Sequence, residues 1–102
     1  MVRDPELTQL KKTTKNLSNA FLFLNDSNEI FDFLRDLLTV EELKEFQQRL
    51  DIAVRLHYKK PYTEIEKELG VSSTTIARVS KYLKWPHQWY AKIIQRMYED
   101  NK

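Results

Sequence analysis

The stretch PYTEIEKELGVSSTTIARVSKYL, Pro61 to Leu83, decides the fold. It reads as a short helix from about Tyr62 to Leu69, a tight turn at Gly70-Val71-Ser72, and a second helix running to about Lys84. Gly70, the only glycine in the chain, stands where a left-handed residue closes the first helix. Either Ser72 or Ser73 can cap the second. Ile65, Leu69, Val71, Ile76 and Val79 fall where two steeply crossed helices bury their inner faces. Ser72, Ser73, Thr74, Ala77, Arg78 and Lys81 are left facing outward.

Those outward residues suit a DNA groove. Small hydroxyl side chains at a helix N-terminus can bond phosphates or base edges without blocking close approach, and the positive end of the helix dipole favours the same phosphates. No carboxylate occurs between Gly70 and Trp85. The candidate DNA contacts are therefore Ser72, Ser73, Thr74, Thr75, Arg78 and Lys81. Ser73 and Thr74 are candidate base readers, while Arg78 and Lys81 supply phosphate affinity. A helical hairpin that serves only protein interaction or dimerisation fits the same pattern, and just two basic residues on the second helix keep that alternative open. Glu66, where many such motifs carry alanine, implies a wider crossing of the two helices.

Outward from this stretch, the chain of 102 residues has the length of one domain, 1–102, with the helix-turn-helix at about 62–83. A hydrophobic content of 41% excludes a disordered chain. One glycine and three prolines are too few for the tight turns of a sheet protein of this size, so the expected fold class is all-α. No cysteine is present, which excludes disulfides and thiolate chemistry. The longest apolar run, Ala20 to Leu24, is far short of a membrane span, and Met1–Leu10 lacks the apolar core of a signal peptide. A cytoplasmic protein that does not engage membranes is the simplest expectation. Residues 1–56 carry 8 basic and 10 acidic side chains, against 9 and 5 in residues 57–102. The basic C-terminal half matches a DNA-contacting face.

Periodicity predicts four further helices: Pro5 to Leu24; Asn28 to Leu38 after a cap at Asp26 or Ser27; Val40 to Tyr58 after the capping box Thr39-x-x-Glu42; and His87 to Glu99 after the break at Trp85-Pro86. The third presents Leu43, Phe46, Leu50, Ala53, Val54 and His57 along one side. Ile30, Phe31, Phe33, Leu34, Leu37 and Leu38 make the second so widely apolar that it is either deeply buried or shared with a second chain.

LTVEELKEFQQRLDIAVRL (Leu38–Leu56) followed by PYTEIEKELGVSSTTIARVSKYL resembles the Trp repressor superfamily, and within it the YerC/YecD branch. The resemblance, over Ile30 to Lys84, implies a six-helix Trp-repressor-like protomer intertwined as a homodimer through its N- and C-terminal helices. It further implies two recognition helices set in successive major grooves of a pseudo-palindromic double-stranded operator, and a transcriptional regulator that acts as a repressor.

In that family two arginines sandwich the indole of a tryptophan corepressor, and Arg49 and Arg78 match their positions. Val79 stands where the family has a glycine, and Tyr82 where a serine helps hold the ligand. Overpacking of this kind costs about 1–3 kcal/mol, so L-tryptophan is not expected to bind. The possible effector pocket of Arg49, Arg78, Val79 and Tyr82 would serve an unknown small effector, or Arg78 is a phosphate contact and Arg49 a salt-bridge partner. His57 and His87 lack ligand-spaced partners, so no metal and no other cofactor is expected. The pairs Glu64/Glu68 and Glu41/Glu45 read as solvated charge, not catalytic dyads, and no phosphate loop or nucleophile elbow appears; an enzyme is not expected. Trp85, Trp89, Tyr90 and Tyr98 could stack single-stranded bases, but their helical spacing favours a core or dimer interface.

Overall fold

The structure, a computed structural model, describes residues 5–100, and every regular element among them is helical. The terminal residues 1–4 and 101–102, which the single-domain reading includes, lie outside the described residues. Seven α-helices follow in order: α1 (Pro5–Thr13), α2 (Lys15–Ala20), α3 (Ser27–Leu37), α4 (Val40–His57), α5 (Tyr62–Leu69), α6 (Ser73–Leu83) and α7 (Trp89–Tyr98), with a 3-10 turn, Phe21–Phe23, after α2. The all-α expectation holds, but the count of six does not, because the expected first helix is divided. The Thr14 hydroxyl donates to the Leu10 carbonyl at 2.7 Å and that of Thr13 to the same oxygen at 3.2 Å. Such back-bonding competes with the helical ladder, and Thr14 leaves helical geometry at ψ 14°.

The described residues form two units that divide after Val40. In the first, Asp26 caps α3 by accepting the Glu29 N–H at 3.0 Å, and the Glu29 carboxylate reaches back to the Asn25 N–H at 2.9 Å. The first bond satisfies a donor that the start of a helix leaves open, and the second ties the residue before the cap to the first turn. Phe21 and Phe33 meet edge to face at 5.4 Å. No residue of α1, α2, the 3-10 turn or α3 is buried. Of the two expectations for the apolar α3, deep burial is therefore excluded: Ile30, Phe31 and Leu37 are exposed.

The second unit holds the core. Ile52 and Ala53 of α4, Ile65 of α5, Ile76 and Val79 of α6 and Ile94 of α7 are buried together. Val54, Leu56, Leu69, Val71, Leu83 and Tyr90 pack against them. The α4 stripe read from sequence is thus corrected, since Ile52 is fully buried and Phe46 is exposed.

Three turns shape this unit. After α4, Lys59 takes φ 65°, while its N–H reaches Leu56 O and the Lys60 N–H reaches Arg55 O, both at 3.0 Å. This paired bonding satisfies the last carbonyls of the helix. After α5, Gly70 takes φ 65° and donates to Glu66 O at 2.8 Å. Before α7, Gln88 takes φ 51° and donates to Trp85 O at 3.0 Å. A left-handed residue cannot continue a helix, so α7 begins at Trp89 and not at His87.

Candidate nucleic-acid interface

Ser72 starts α6. Its hydroxyl accepts the Thr75 N–H at 3.2 Å and lies 3.0 Å from the Thr75 hydroxyl. Ile76 and Val79 then turn into the core. At 3.6 residues per turn the opposite stripe is Ser73, Thr74, Ala77, Arg78 and Lys81, and all five are exposed. The side chains of Ser73, Thr74, Arg78 and Lys81 make no hydrogen bond or ion pair with any other described residue. The first turn of α6 carries no acid, so no carboxylate of that turn offsets the positive end of its dipole. Of the six candidate DNA contacts, four lie on this open stripe. Ser72 and Thr75 are engaged with each other at its start, Thr75 half-buried.

The four residues of the possible effector pocket are placed differently. Val79 is only 2% exposed and belongs to the core. Tyr82 is half-buried, its ring 4.8 Å from that of Trp85. Arg78 is exposed on the outer stripe. Arg49 is also exposed, with its guanidinium 5.5 Å from the centre of the Phe46 ring. No carboxylate lies within ion-pair reach of Arg49 among the described residues, so the expected salt bridge gives way to an aromatic contact. An open apolar groove in this unit is lined by Leu50, Trp89, Tyr90 and Ile93, and Arg49, Arg78, Val79 and Tyr82 are not among its lining residues. Burial holds the Tyr90 hydroxyl above its usual pKa, against the opposing charge of Arg49.

On α7, Trp89, Ile93 and Met97 are exposed while Ile94 faces the core. Lys92 and Arg96 lie over the Trp89 ring, 4.6 and 5.1 Å from its centre. Trp89 therefore borders solvent and the groove together.

Sequence reasoning missed one charged centre. Glu68 accepts a hydrogen bond from Lys60 Nζ at 2.7 Å, and Arg55 Nε lies 3.7 Å from the same carboxylate oxygen. The Lys60 hydrogen bond and the two positive charges hold the Glu68 carboxyl below its usual pKa. Glu68 read as solvated charge because neither partner stands at a helical i, i+4 spacing from it. His57 ends α4, and with Tyr58 it meets Glu99 beyond α7, at 3.4 and 3.1 Å. Among the described residues no cluster is suited to a metal, and no helix is long and apolar enough to cross a membrane.

The Trp repressor protein family model matches residues 12–98 of this chain. The uncharacterized protein YerC of Bacillus subtilis is 35% identical over 88 residues, covering 86% of this chain and 85% of that protein. The solved structure of a TrpR-like protein from Eubacterium eligens superposes with a TM-score of 0.82 at 31% identity, covering 88% of this chain and 94% of that one. That of a Trp repressor candidate from Staphylococcus aureus gives 0.83 at 34% identity, covering 92% and 95%. The chain belongs to the Trp repressor family, within its YerC-like branch.

Proposed function

We propose that this protein is a sequence-specific DNA-binding transcriptional regulator, working as a homodimer and repressing by occupying a promoter site. The observation that carries the reading is the outer stripe of α6. Ser73, Thr74, Arg78 and Lys81 project from an acid-free helix, and their side chains have no partner among the described residues. Phosphates would be held by Arg78 and Lys81, and base edges would be read by Ser73 and Thr74. Ser72 would hold the helix start in shape and, with Thr75, border the DNA. Membership of a family named for a repressor supports the same reading.

Self-association rests on apolar surface. The helices of the first unit bury no residue, and α3 and α7 expose Ile30, Phe31, Trp89, Ile93 and Met97. A second copy would cover these faces, and its two-fold symmetry would pair two α6 helices on a pseudo-palindrome. The 102 residues would then act as one domain, with the helix-turn-helix at 62–83 as its reading head.

The test is selection of DNA sites from a random duplex pool, followed by titration of the enriched sequence at several salt concentrations. A pseudo-palindrome bound with a steep salt slope is expected. Arg78→Ala should reduce that slope by about 0.9 for each phosphate that is no longer neutralised. Absence of enrichment, with no binding at low salt, would overturn the reading in favour of a protein-interaction module.

A further inference from the structure

Two forces hold α5 and α6 against α4, and they differ in kind. The apolar core of Ile52, Ala53, Ile65, Ile76 and Val79 supplies the attraction, but hydrophobic contact is non-directional and specifies an angle poorly. Direction comes from charge. Two side-chain ion pairs converge on Glu68 of α5. One arrives from Arg55 in the last turns of α4, the other from Lys60 in the turn between the helices. That turn has a single-residue left-handed bend at Lys59 and a proline at 61, so the backbone on the α4 side is stiff where Lys60 leaves it.

The Lys60–Glu68 hydrogen bond is short and charge-assisted, which makes it strongly orientation-dependent. The approach of Arg55 to the carboxylate is longer and purely electrostatic. Arg55 is itself held on α4, its guanidinium donating to Asp51 O at 3.0 Å. With side chains 28–41% exposed, such a bridge contributes little to overall stability. Its consequence is geometric, because α5 carries α6 through their shared core and turn.

We infer that Glu68 is a positioning residue for DNA reading: by gripping Lys60 and Arg55 it sets the angle at which α6 is presented, without touching DNA itself. The inference rests on the DNA-binding reading above. Base recognition depends on the register of the reading helix, whereas phosphate attraction depends mainly on charge and survives a small rotation. Removal of the bridge should therefore erode discrimination and spare non-specific affinity.

The experiment uses the full chain with two duplexes of equal length, the sequence enriched from the random pool and a scrambled version of it. Glu68→Gln keeps size and removes the charge. It should lower the ratio of enriched to scrambled affinity about three- to thirtyfold, with scrambled-duplex affinity and its salt slope unchanged. A merely structural defect would lower the folded fraction and reduce both affinities together. Lys60→Gln, which leaves the Arg55 pair in place, should reproduce most of the effect, and the double variant should be no worse than Glu68→Gln alone, since that variant already removes both pairs. Equal reduction on both duplexes, additive effects, or an unchanged ratio would overturn the inference while leaving DNA binding intact. A wild-type chain that binds neither duplex would overturn the DNA-binding reading itself, and this inference with it.

Discussion

The Ser72 hydroxyl accepts the Thr75 backbone N–H at 3.2 Å, and so begins α6 one residue before its first helical position. The bond satisfies one of the four donors that the start of every helix leaves open. Because the α6 N-terminus is the proposed DNA-facing end, the cap links stability to function. Ser72→Ala should cost about 1 kcal/mol of stability, read as a lower midpoint in urea with an unchanged slope. No drop in stability would show that the cap contributes nothing in solution.

At Gly70 the prediction separates conformation from packing. Its φ is 65°, and a Cβ added there meets nothing within 4 Å. Gly70→Ala should therefore cost about 1–2 kcal/mol through the left-handed backbone alone. Gly70→Asn should cost less, since asparagine tolerates that conformation better. Chemical denaturation of both variants gives the comparison, and equal costs would point to a steric cause.

Self-association has a candidate anchor in Trp89, which is 54% exposed and lines the apolar groove with Leu50, Tyr90 and Ile93. The melting temperature of the protein should rise with its concentration, as for any fold stabilised by a second copy. Trp89→Ala should weaken the dimer by about 2 kcal/mol, the scale of a buried aromatic anchor. Thermal melts over a concentration series read the first, and sedimentation equilibrium the second. A wild-type chain that sediments as a monomer at all concentrations would remove the dimer from the proposal.

Tryptophan should not bind. Val79 sits in the core at 2% exposure, and Tyr82 packs on Trp85, so both non-matching positions are occupied by the protein's own side chains. Millimolar L-tryptophan should leave the melting temperature where it was. A clear rise would mean that these side chains give way to the ligand.

Glu68 also predicts an acid response. Its carboxyl is held below the usual value of 4.5, first by the Lys60 hydrogen bond. A depressed folded pKa contributes stability that is present above the unfolded value and is lost as pH falls through the folded one. The small difference in melting temperature between wild type and Glu68→Gln should thus be constant above about pH 5.5 and shrink as the solution is made more acid. A difference that stays the same down to about pH 3 would show that the carboxylate is not the source of the effect.

Local rules were enough for much of this molecule. Scarce glycine pointed to helices, and Thr39, Gly70 and the pair Ser72-Ser73 marked where α4, α5 and α6 start or stop, because caps and left-handed turns are written in one or two residues. The outward stripe of α6 was legible for the same reason, since a helical period assigns faces without any knowledge of neighbours.

What the period could not decide was which of several apolar faces finds a partner. Ile52 and Phe46 both sit among apolar positions of α4, yet only Ile52 is buried. The break at Thr14 depended on hydroxyls choosing the Leu10 carbonyl over solvent. The Glu68 bridge depended on how α4, α5 and the turn between them pack, whereas the burial of Ile65, Ile76 and Val79 was already written in the hairpin pattern. The sequence alone determined the helix-turn-helix and the residues its second helix turns outward, because those follow from neighbours in the chain. Tertiary structure alone decided which α4 face joins the core and where the charged bridge forms, because each requires groups from different elements to meet at distances of a few ångströms.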